Sequence, residues 1–224
     1  MAGAIRCRVT TKSSNMESVI DKIKIIRRHF RRTDPIIFPV LAAMDIEPLR
    51  ATSGPAGYFA KLCREIISQQ LGSKAARAIL DRFLGLFPRR RVIPAHVLAL
   101  SEEKLRATGM SWAKARYIHD LADKTAAGII QYRAFGRADN EAVIAELTKI
   151  KGIGRWTAEM FLIFTLGRED VFSFGDLGLR KGFTQLYGAR CARTQKHMAA
   201  IIQRWSPYRS YASLALWHIN DSKN

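Results

Sequence analysis

One acidic side chain stands where a carboxylate could do chemistry. Asp176 lies immediately before an apolar helical pattern that starts at Leu177. Its structural interpretation is a helix N-cap, in which the side-chain oxygen accepts a backbone hydrogen bond. Its chemical interpretation is a carboxylate that stabilises a developing positive charge or activates water. The two are compatible, because an aspartate held at the start of a helix has a fixed orientation.

A second candidate is the stretch 147–158, LTKIKGIGRWTA, which places two glycines in the spacing G-x-G between two apolar helical patterns. We interpret it as a helix, a tight hairpin and a second helix that begins at Arg155. Glycine suits a backbone with φ > 0 or a close approach, and the amides at the start of a helix bind anions. No β-rich run precedes the glycines, so a dinucleotide-binding loop is excluded by context. The flanking Lys149 and Lys151 are expected to face the phosphate of such an anion.

The composition supports a polyanionic partner. The 224 residues include 37 basic and 19 acidic side chains, a formal net charge of +18. Nucleic acid is the first candidate partner and an anionic membrane surface the second. The longest apolar run, residues 160–166, is too short to span a bilayer. The scattered Cys7, Cys63 and Cys191 favour a reducing compartment and argue against a disulfide framework or cysteine-ligated zinc. Three cysteines also exclude a four-cysteine iron–sulfur cluster.

The elements that must position these residues are all helical. Apolar residues recur at helical spacing and no strand alternation is found, so the predicted class is all-α. Ser101, Ser111 and Asn140 with Glu141 are predicted to cap helices, and Gly72-Ser73 to end one helix and cap the next. Further helices are expected over residues 16–30, from Gly57 to Leu71, over 177–187, over 194–205, and after Pro207 to about Asn220.

The N-terminal residues 1–15 are expected to form a basic, disordered arm. A basic transit peptide, or a true start at Met16, are the alternatives. The prolines between residues 35 and 55 indicate a lobe boundary.

The segment LTKIKGIGRWTAEMFL, followed by VFSFGDLGLRKGF, resembles the helix-hairpin-helix motif and catalytic-aspartate segment of DNA glycosylases, specifically the 3-methyladenine DNA glycosylase II branch. IISQQLGSKAA (66–76) and WSPYRSYASLALW (205–217) extend the resemblance, whereas residues 1–55 resemble the family weakly or not at all. It implies a bilobal helical fold with a cleft between the lobes. Lobe A would span about 60–165, and lobe B about 16–59 plus 166–224.

The resemblance also assigns roles to single residues. Asp176 matches the catalytic aspartate, and Gly175 stands where relatives often have a second acid. Trp156 stands where bifunctional relatives have the lysine that forms a Schiff base, which implies hydrolysis without strand cleavage. Gln70 matches the wedge that fills the gap left by an extracted base, with Leu71 its neighbour.

Five aromatic or apolar residues are expected in the base pocket. Trp156 and Trp217 match family positions, and Phe59, Met160 and Tyr211 are plausible companions. By residue type alone, each is typical of a protein core. An aromatic face would attract the positive charge of a purine alkylated at N3 or N7.

The hairpin is expected to bind phosphate through amides around Gly152, Gly154 and Thr157. The resemblance further implies a monovalent cation, Na⁺ or K⁺, on the backbone carbonyls of Thr148, Ile150 and Ile153.

The expected function is therefore that of a monofunctional glycosylase that flips and hydrolyses alkylated purines, such as 3-methyladenine and 7-methylguanine, in double-stranded DNA. The alternatives are a glycosylase for an oxidised or deaminated base and a noncatalytic helix-hairpin-helix DNA-binding protein. We expect an intracellular monomer that works on DNA without a membrane or a required cofactor, in a bacterial cytoplasm or a eukaryotic nucleus.

Overall fold

The computed structural model describes residues 11–221, with side chains described from residue 18 to residue 220. Within this range the chain is helical and contains no β-strand, so the all-α prediction is confirmed. The α-helices are α1 (Thr11–Thr33), α2 (Phe38–Ala43), α3 (Pro55–Ser68), α4 (Ser73–Gly85), α5 (Pro94–Leu98), α6 (Glu102–Arg106), α7 (Trp112–Ala126), α8 (Asn140–Leu147), α9 (Arg155–Phe164), α10 (Leu177–Tyr187), α11 (Ala189–Ala192), α12 (Gln195–Ile202) and α13 (Arg209–Asp221). Short 3₁₀ turns cover Pro88–Arg90, Tyr132–Ala134 and Gln203–Trp205. Among the described helices, none is both long and apolar enough to cross a bilayer.

The chain divides into two compact units. Residues Arg50–Arg168 form one, which we call the central unit. The residues up to Leu49 and from Glu169 onward form the other, which we call the terminal unit. The terminal unit therefore contains α1, α2 and α10 to α13, and the central unit contains α3 to α9.

The terminal unit is organised around a buried indole and a close helix pair. Trp205 is fully buried, and its Nε1 donates to Asp34 Oδ2 at 2.8 Å. The hydroxyl of Tyr187 donates to the same carboxylate oxygen at 2.9 Å, which satisfies a charge that is 1% exposed. A Cβ at Gly182 of α10 would overlap the carbonyl oxygen of Leu216 in α13. This close approach brings α13 against α10, the helix that Asp176 precedes.

In the central unit, α3 packs against α4 and α7, and α8 packs against α9. One face of α3 is buried because its apolar residues recur every three or four positions. Arg168, the last residue of the unit, binds the segment around the start of α8. Its guanidinium donates to the carbonyls of Phe135 and Ala138 and to Asn140 Oδ1, at 2.6 to 2.7 Å. Burial lowers the pKa of Arg168, an effect opposed by Asp139 and then Tyr58.

Several boundaries differ from the sequence-based predictions. Helix α1 begins at Thr11 rather than at Met16, and the predicted N-terminal arm otherwise lies outside the described residues. The first unit boundary follows Leu49 rather than residue 59, because the backbone N–H of Thr52 donates to the carbonyl of Thr165 at 3.0 Å.

Local capping explains the remaining differences. Ser101 and Ser111 are N-caps as predicted. The cap of α8, however, is Asp139, whose carboxylate accepts from the amide of Ala142 at 2.7 Å. Helix α4 is preceded by Gly72 at the N-cap, so the predicted Ser73 cap is wrong.

Cys63 and Cys191 are free thiols, and Cys7 lies outside the described residues.

Candidate active site

The predicted hairpin between α8 and α9 is confirmed, and α9 begins at Arg155 as expected. Gly152 adopts φ +81°, and a Cβ there would overlap the ring of Tyr117. Both conditions favour glycine, since L side chains rarely adopt positive φ. Gly154 is the N-cap of α9 and supplies no side-chain cap, so a cap side chain does not occupy the first amides of this ten-residue helix.

Buried apolar residues and one acid hold this hairpin in place. Ile150 and Ile153 are 1% and 4% exposed, and the amide of Ile153 donates to the carbonyl of Ile150 at 3.1 Å. Asp120 Oδ2, on α7, accepts from the backbone amide of Lys151 at 2.8 Å and from Lys124 Nζ at 2.6 Å. Burial opposes ionisation of Asp120, but the hydrogen bonds and cations outweigh it, so the pKa of Asp120 is lowered.

The two predicted phosphate-binding lysines have different surroundings. Lys149 Nζ forms an ion pair with Glu146 at 2.6 Å. Lys151 has a side chain that is 73% exposed, and its Nζ lies 3.8 Å from Asp120 Oδ1. Both lysine side chains are at least half exposed, so a phosphate can reach them. Their contact with DNA stays a prediction.

The predicted wedge lies in the short turn between α3 and α4. Gln70 is exposed and adopts φ +56°, a conformation that is uncommon for a residue other than glycine. Leu71 beside it is 37% exposed. Lys114 Nζ, from α7, donates to the carbonyls of Ile67 and Gln69 at 2.8 and 2.6 Å. Lys114 therefore fixes the backbone of the turn, while the side chains of Gln70 and Leu71 are exposed.

Gln69 connects this turn to the hairpin. Its Nε2 donates to the carbonyl of Gly152 at 2.8 Å and to Thr157 Oγ1 at 3.3 Å. The wedge turn and the hairpin are thus one hydrogen-bonded assembly within the central unit. Burial lowers the pKa of Lys114, the other residue that supports the turn.

A cavity of about 290 Å³ opens between this turn and the start of α9. It is lined by Glu65, Ser68, Gln69, Gln70, Leu71, Trp156 and Thr157. Trp156 is 46% exposed, so part of its indole is available to a ligand. The structure therefore brings Gln70, Leu71, Trp156 and Thr157, four residues predicted from the sequence, around one cavity.

Three other residues predicted for the base pocket are more buried than Trp156. In the central unit, Phe59 of α3 and Met160 of α9 are 3% and 7% exposed. In the terminal unit, Tyr211 is fully buried; its hydroxyl donates to Glu169 Oε1 at 2.7 Å and accepts from the amide of Leu49 at 2.9 Å. Burial raises the pKa of Tyr211. A place in the base pocket stays a prediction for these three residues.

Asp176, in the terminal unit, is the N-cap of α10 as predicted. Its Oδ1 accepts from the amide of Leu179 at 2.7 Å and from the indole Nε1 of Trp217 at 3.1 Å. The residue is only 7% exposed. Two donors therefore orient a largely buried carboxylate, and one of them is Trp217, whose place in the base pocket stays a prediction.

Asn220 supports this arrangement from the same helix as Trp217. Its Nδ2 donates to the carbonyl of Gly178 at 2.6 Å, and its Oδ1 accepts from Gln185 Nε2 at 3.3 Å. A Cβ at Gly178 would lie 3.1 Å from both Asp176 Oδ1 and Trp217 Cδ1. The first turn of α10 is thus fitted closely around the carboxylate.

Sequence reasoning missed four residues of these sites, namely Glu65, Gln69, Lys114 and Asp120. Glu65 carried a weak signal, because a carboxylate interrupts the apolar pattern of α3 one turn before Gln69. Lys114 and Asp120 carried none, since they act on backbone groups far away in the chain.

The fold and these sites define a class of protein. A family model described as HhH-GPD superfamily base excision DNA repair protein matches residues 63–207. The chain belongs to this superfamily, which confirms the predicted helix-hairpin-helix glycosylase fold and DNA as its partner. A base excision repair protein works on the cell's DNA, so the chain acts inside the cell, bound to DNA.

Its relatives narrow the class further. DNA-3-methyladenine glycosylase 1 of Schizosaccharomyces pombe is 38% identical over 165 residues, which cover 71% of each chain. The crystal structure of a DNA-3-methyladenine glycosidase from Bacillus halodurans matches with a TM-score of 0.74 and 35% identity, covering 86% of this chain and 87% of that one. The 3-methyladenine DNA glycosylase of S. pombe, in complex with abasic DNA, matches with a TM-score of 0.71 and 31% identity, covering 89% and 97%.

Proposed function

We propose that this protein is a monofunctional DNA glycosylase, which flips N-alkylated purines such as 3-methyladenine and 7-methylguanine out of duplex DNA and hydrolyses their N-glycosidic bonds. The observation that carries the proposal is the environment of Asp176, a largely buried carboxylate that the Leu179 amide and the Trp217 indole hold in one orientation. The names of the similar glycosylases support the substrate class.

In this mechanism, Asp176 acts on the sugar. Cleavage of the glycosidic bond passes through a transition state that resembles an oxocarbenium ion, with positive charge on the deoxyribose. A carboxylate already fixed by the protein stabilises this charge without reorganisation during the reaction. It also accepts a proton from the attacking water. The products are a free base and an abasic site.

Trp156 supports hydrolysis over a lyase reaction. An indole cannot form the Schiff base that a lysine at this position would form with the sugar. Lys114 also lies near the wedge turn, but its Nζ is bound to two backbone carbonyls. We therefore expect strand cleavage only after alkaline treatment.

The chemistry of the lesion matches the aromatic lining of the cavity. Alkylation at N3 or N7 gives the purine a positive charge, which makes it a good leaving group. The half-exposed face of Trp156 would attract such a cation by about 1 to 2 kcal/mol once water is removed. Gln70, exposed beside this cavity, is suited to fill the gap left in the base stack.

The hairpin would hold the DNA backbone during this reaction. The uncapped start of α9 and the exposed Lys151 suit a phosphate. The carbonyls of Thr148, Ile150 and Ile153 are oxygen donors of the kind that monovalent cations bind, and all lie in or beside this one turn. A cation there would bridge the hairpin to the phosphate. The compartment would be a bacterial cytoplasm or a eukaryotic nucleus.

The proposal is tested with duplexes that each carry one defined lesion, such as 3-methyladenine, 7-methylguanine, hypoxanthine or 8-oxoguanine. We expect release of the alkylated bases, with breaks in the strand only after alkali. Borohydride added during turnover should trap no covalent adduct. Release of oxidised bases alone would contradict the substrate class, and a trapped adduct would contradict the monofunctional mechanism.

A further inference from the structure

The cavity beside Trp156 contains an acid for which the mechanism above has no use. Of the seven residues that line it, Glu65 is the one with an ionisable carboxyl group. It lies on α3, one turn before Gln69 and close to the wedge turn. The rest of the lining consists of amides, hydroxyls, Leu71 and the indole.

Glu65 differs from Glu159 and Asp120, two other acids of the central unit. Glu159 is paired with Arg155 at 2.9 Å, and Asp120 is paired with Lys124 at 2.6 Å. Among residues 18–220, no side chain donates a hydrogen bond to the Glu65 carboxylate and no cation lies within 4 Å of it. Glu65 is half-buried and its carboxylate oxygens remain accessible, so a ligand that enters the cavity can reach them.

The electrostatics of the free protein agree with this geometry. Burial raises the pKa of Glu65, and the neighbouring Arg64 and Lys61, which lie on the same helix, oppose this effect only in part. A cation that entered the cavity would favour the charged carboxylate. The site is therefore matched to a ligand that carries a positive charge and N–H donors.

We propose that Glu65 is a specificity-determining residue of the base pocket, whose carboxylate accepts a hydrogen bond from a flipped N-alkylated purine and offsets its positive charge. The proposal rests on the proposed function and adds a preference for cationic over neutral lesions. 7-Methylguanine offers its N1–H and 2-amino groups and 3-methyladenine its 6-amino group, whereas an ionised carboxylate can only accept. A neutral base of the same shape would gain the hydrogen bond but not the attraction between charges.

The test compares two duplexes that differ in the charge of one base. One carries 7-methylguanine on 2′-fluoroarabinose, which resists hydrolysis, and the other carries the neutral isostere 7-deaza-7-methylguanine on the same sugar. The full chain should bind the cationic duplex more tightly. Glu65→Gln keeps the shape but removes the charge, so we expect the ratio of the two affinities to fall by roughly ten- to one-hundred-fold.

Asp123→Asn is the matched control, because it removes one negative charge from an exposed position of α7 in the same unit. It should leave the ratio unchanged. An equal loss of both affinities in Glu65→Gln, or no loss, would overturn the proposal, and melting temperatures would identify a folding defect. If the wild-type chain released no alkylated purine, the proposed function would fail instead. Release with an unchanged ratio would overturn only the role of Glu65.

Discussion

The environment of Asp176 and the cavity beside Trp156 differ in how exposed their side chains are and in how firmly the protein holds them. Asp176 is 7% exposed, and donors from its own unit already orient it. Trp156 is 46% exposed, and Gln70 projects from a turn held in a left-handed conformation. The terminal unit thus holds the proposed catalytic carboxylate in one orientation before any substrate arrives, whereas the central unit presents the exposed surface that we propose for DNA.

This difference has a physical reason. A carboxylate that stabilises charge in a transition state works best when it does not need to reorient, so the protein itself must supply its hydrogen bonds. A surface that binds phosphates and a flipped base must instead remain accessible. The central unit therefore fixes the backbone, through Gln69, Lys114 and Asp120, and leaves the tips of the side chains exposed.

A large effect on stability is expected from a single methyl group added in the hairpin. Gly152→Ala must adopt φ near +81° and displace the ring of Tyr117. The backbone strain costs about 1 to 2 kcal/mol and the displaced ring about 1 to 3 kcal/mol, so we expect a loss of roughly 2 to 5 kcal/mol in the free energy of unfolding. Chemical denaturation measures this loss. Gly136→Ala, where a Cβ meets no atom within 4 Å, is the control, and equal stability of the two variants would refute the account of the hairpin.

A smaller effect is expected at Asp176. Trp217→Phe keeps an aromatic ring but removes the indole donor to Oδ1, leaving the Leu179 amide. We expect single-turnover base release to slow by about ten-fold, because a hydrogen bond to a charged group has been lost. Affinity for a duplex with an abasic site should hardly change. Trp112→Phe, at an indole that is 44% exposed, is the control. An undiminished rate in Trp217→Phe would show that the indole does not position the carboxylate.

The smallest effect on stability is expected for Gly154→Ala, which tests DNA binding separately from folding. A Cβ at Gly154 meets no atom of the protein within 4 Å, and its φ is −91°. Gly154→Ala should therefore melt within a few degrees of the wild type, with a cost of at most about 1 kcal/mol for the poorer N-cap. If a phosphate approaches this backbone, the added methyl group should weaken DNA binding several-fold. Unchanged affinity in a titration with duplex DNA would place the phosphate elsewhere.

Features set by neighbouring residues could be predicted from the sequence. Ser101, Ser111 and Asp176 cap helices as expected, because an N-cap depends on the few residues around it. The hairpin was predictable for the same reason. At α8 the predicted Asn140 cap was wrong: Asp139 is the N-cap, and Asn140 Oδ1 instead accepts from Arg168, 28 positions away.

Contacts between distant parts of the chain could not be predicted. Gln69 and Gly152 are 83 positions apart, and Lys114 and Gln69 are 45 apart, so neither hydrogen bond leaves a local pattern. The aromatic residues show the same limit. Trp217 and Tyr211 lie on one helix and have similar residue types, yet one contacts Asp176 and the other is fully buried against Glu169.

The central claim is that the Asp176 carboxylate carries out the chemistry while other residues hold the DNA. Asp176→Asn tests it most directly, because asparagine keeps the size of the side chain and remains a good N-cap for α10. Single-turnover release of 3-methyladenine from duplex DNA should fall by about a hundred- to a thousand-fold, the range for the loss of one preorganised electrostatic group. Affinity for an abasic-site duplex should stay within about three-fold of the wild type, a difference of less than ~0.7 kcal/mol. Release of 3-methyladenine at close to the wild-type rate would contradict the mechanism.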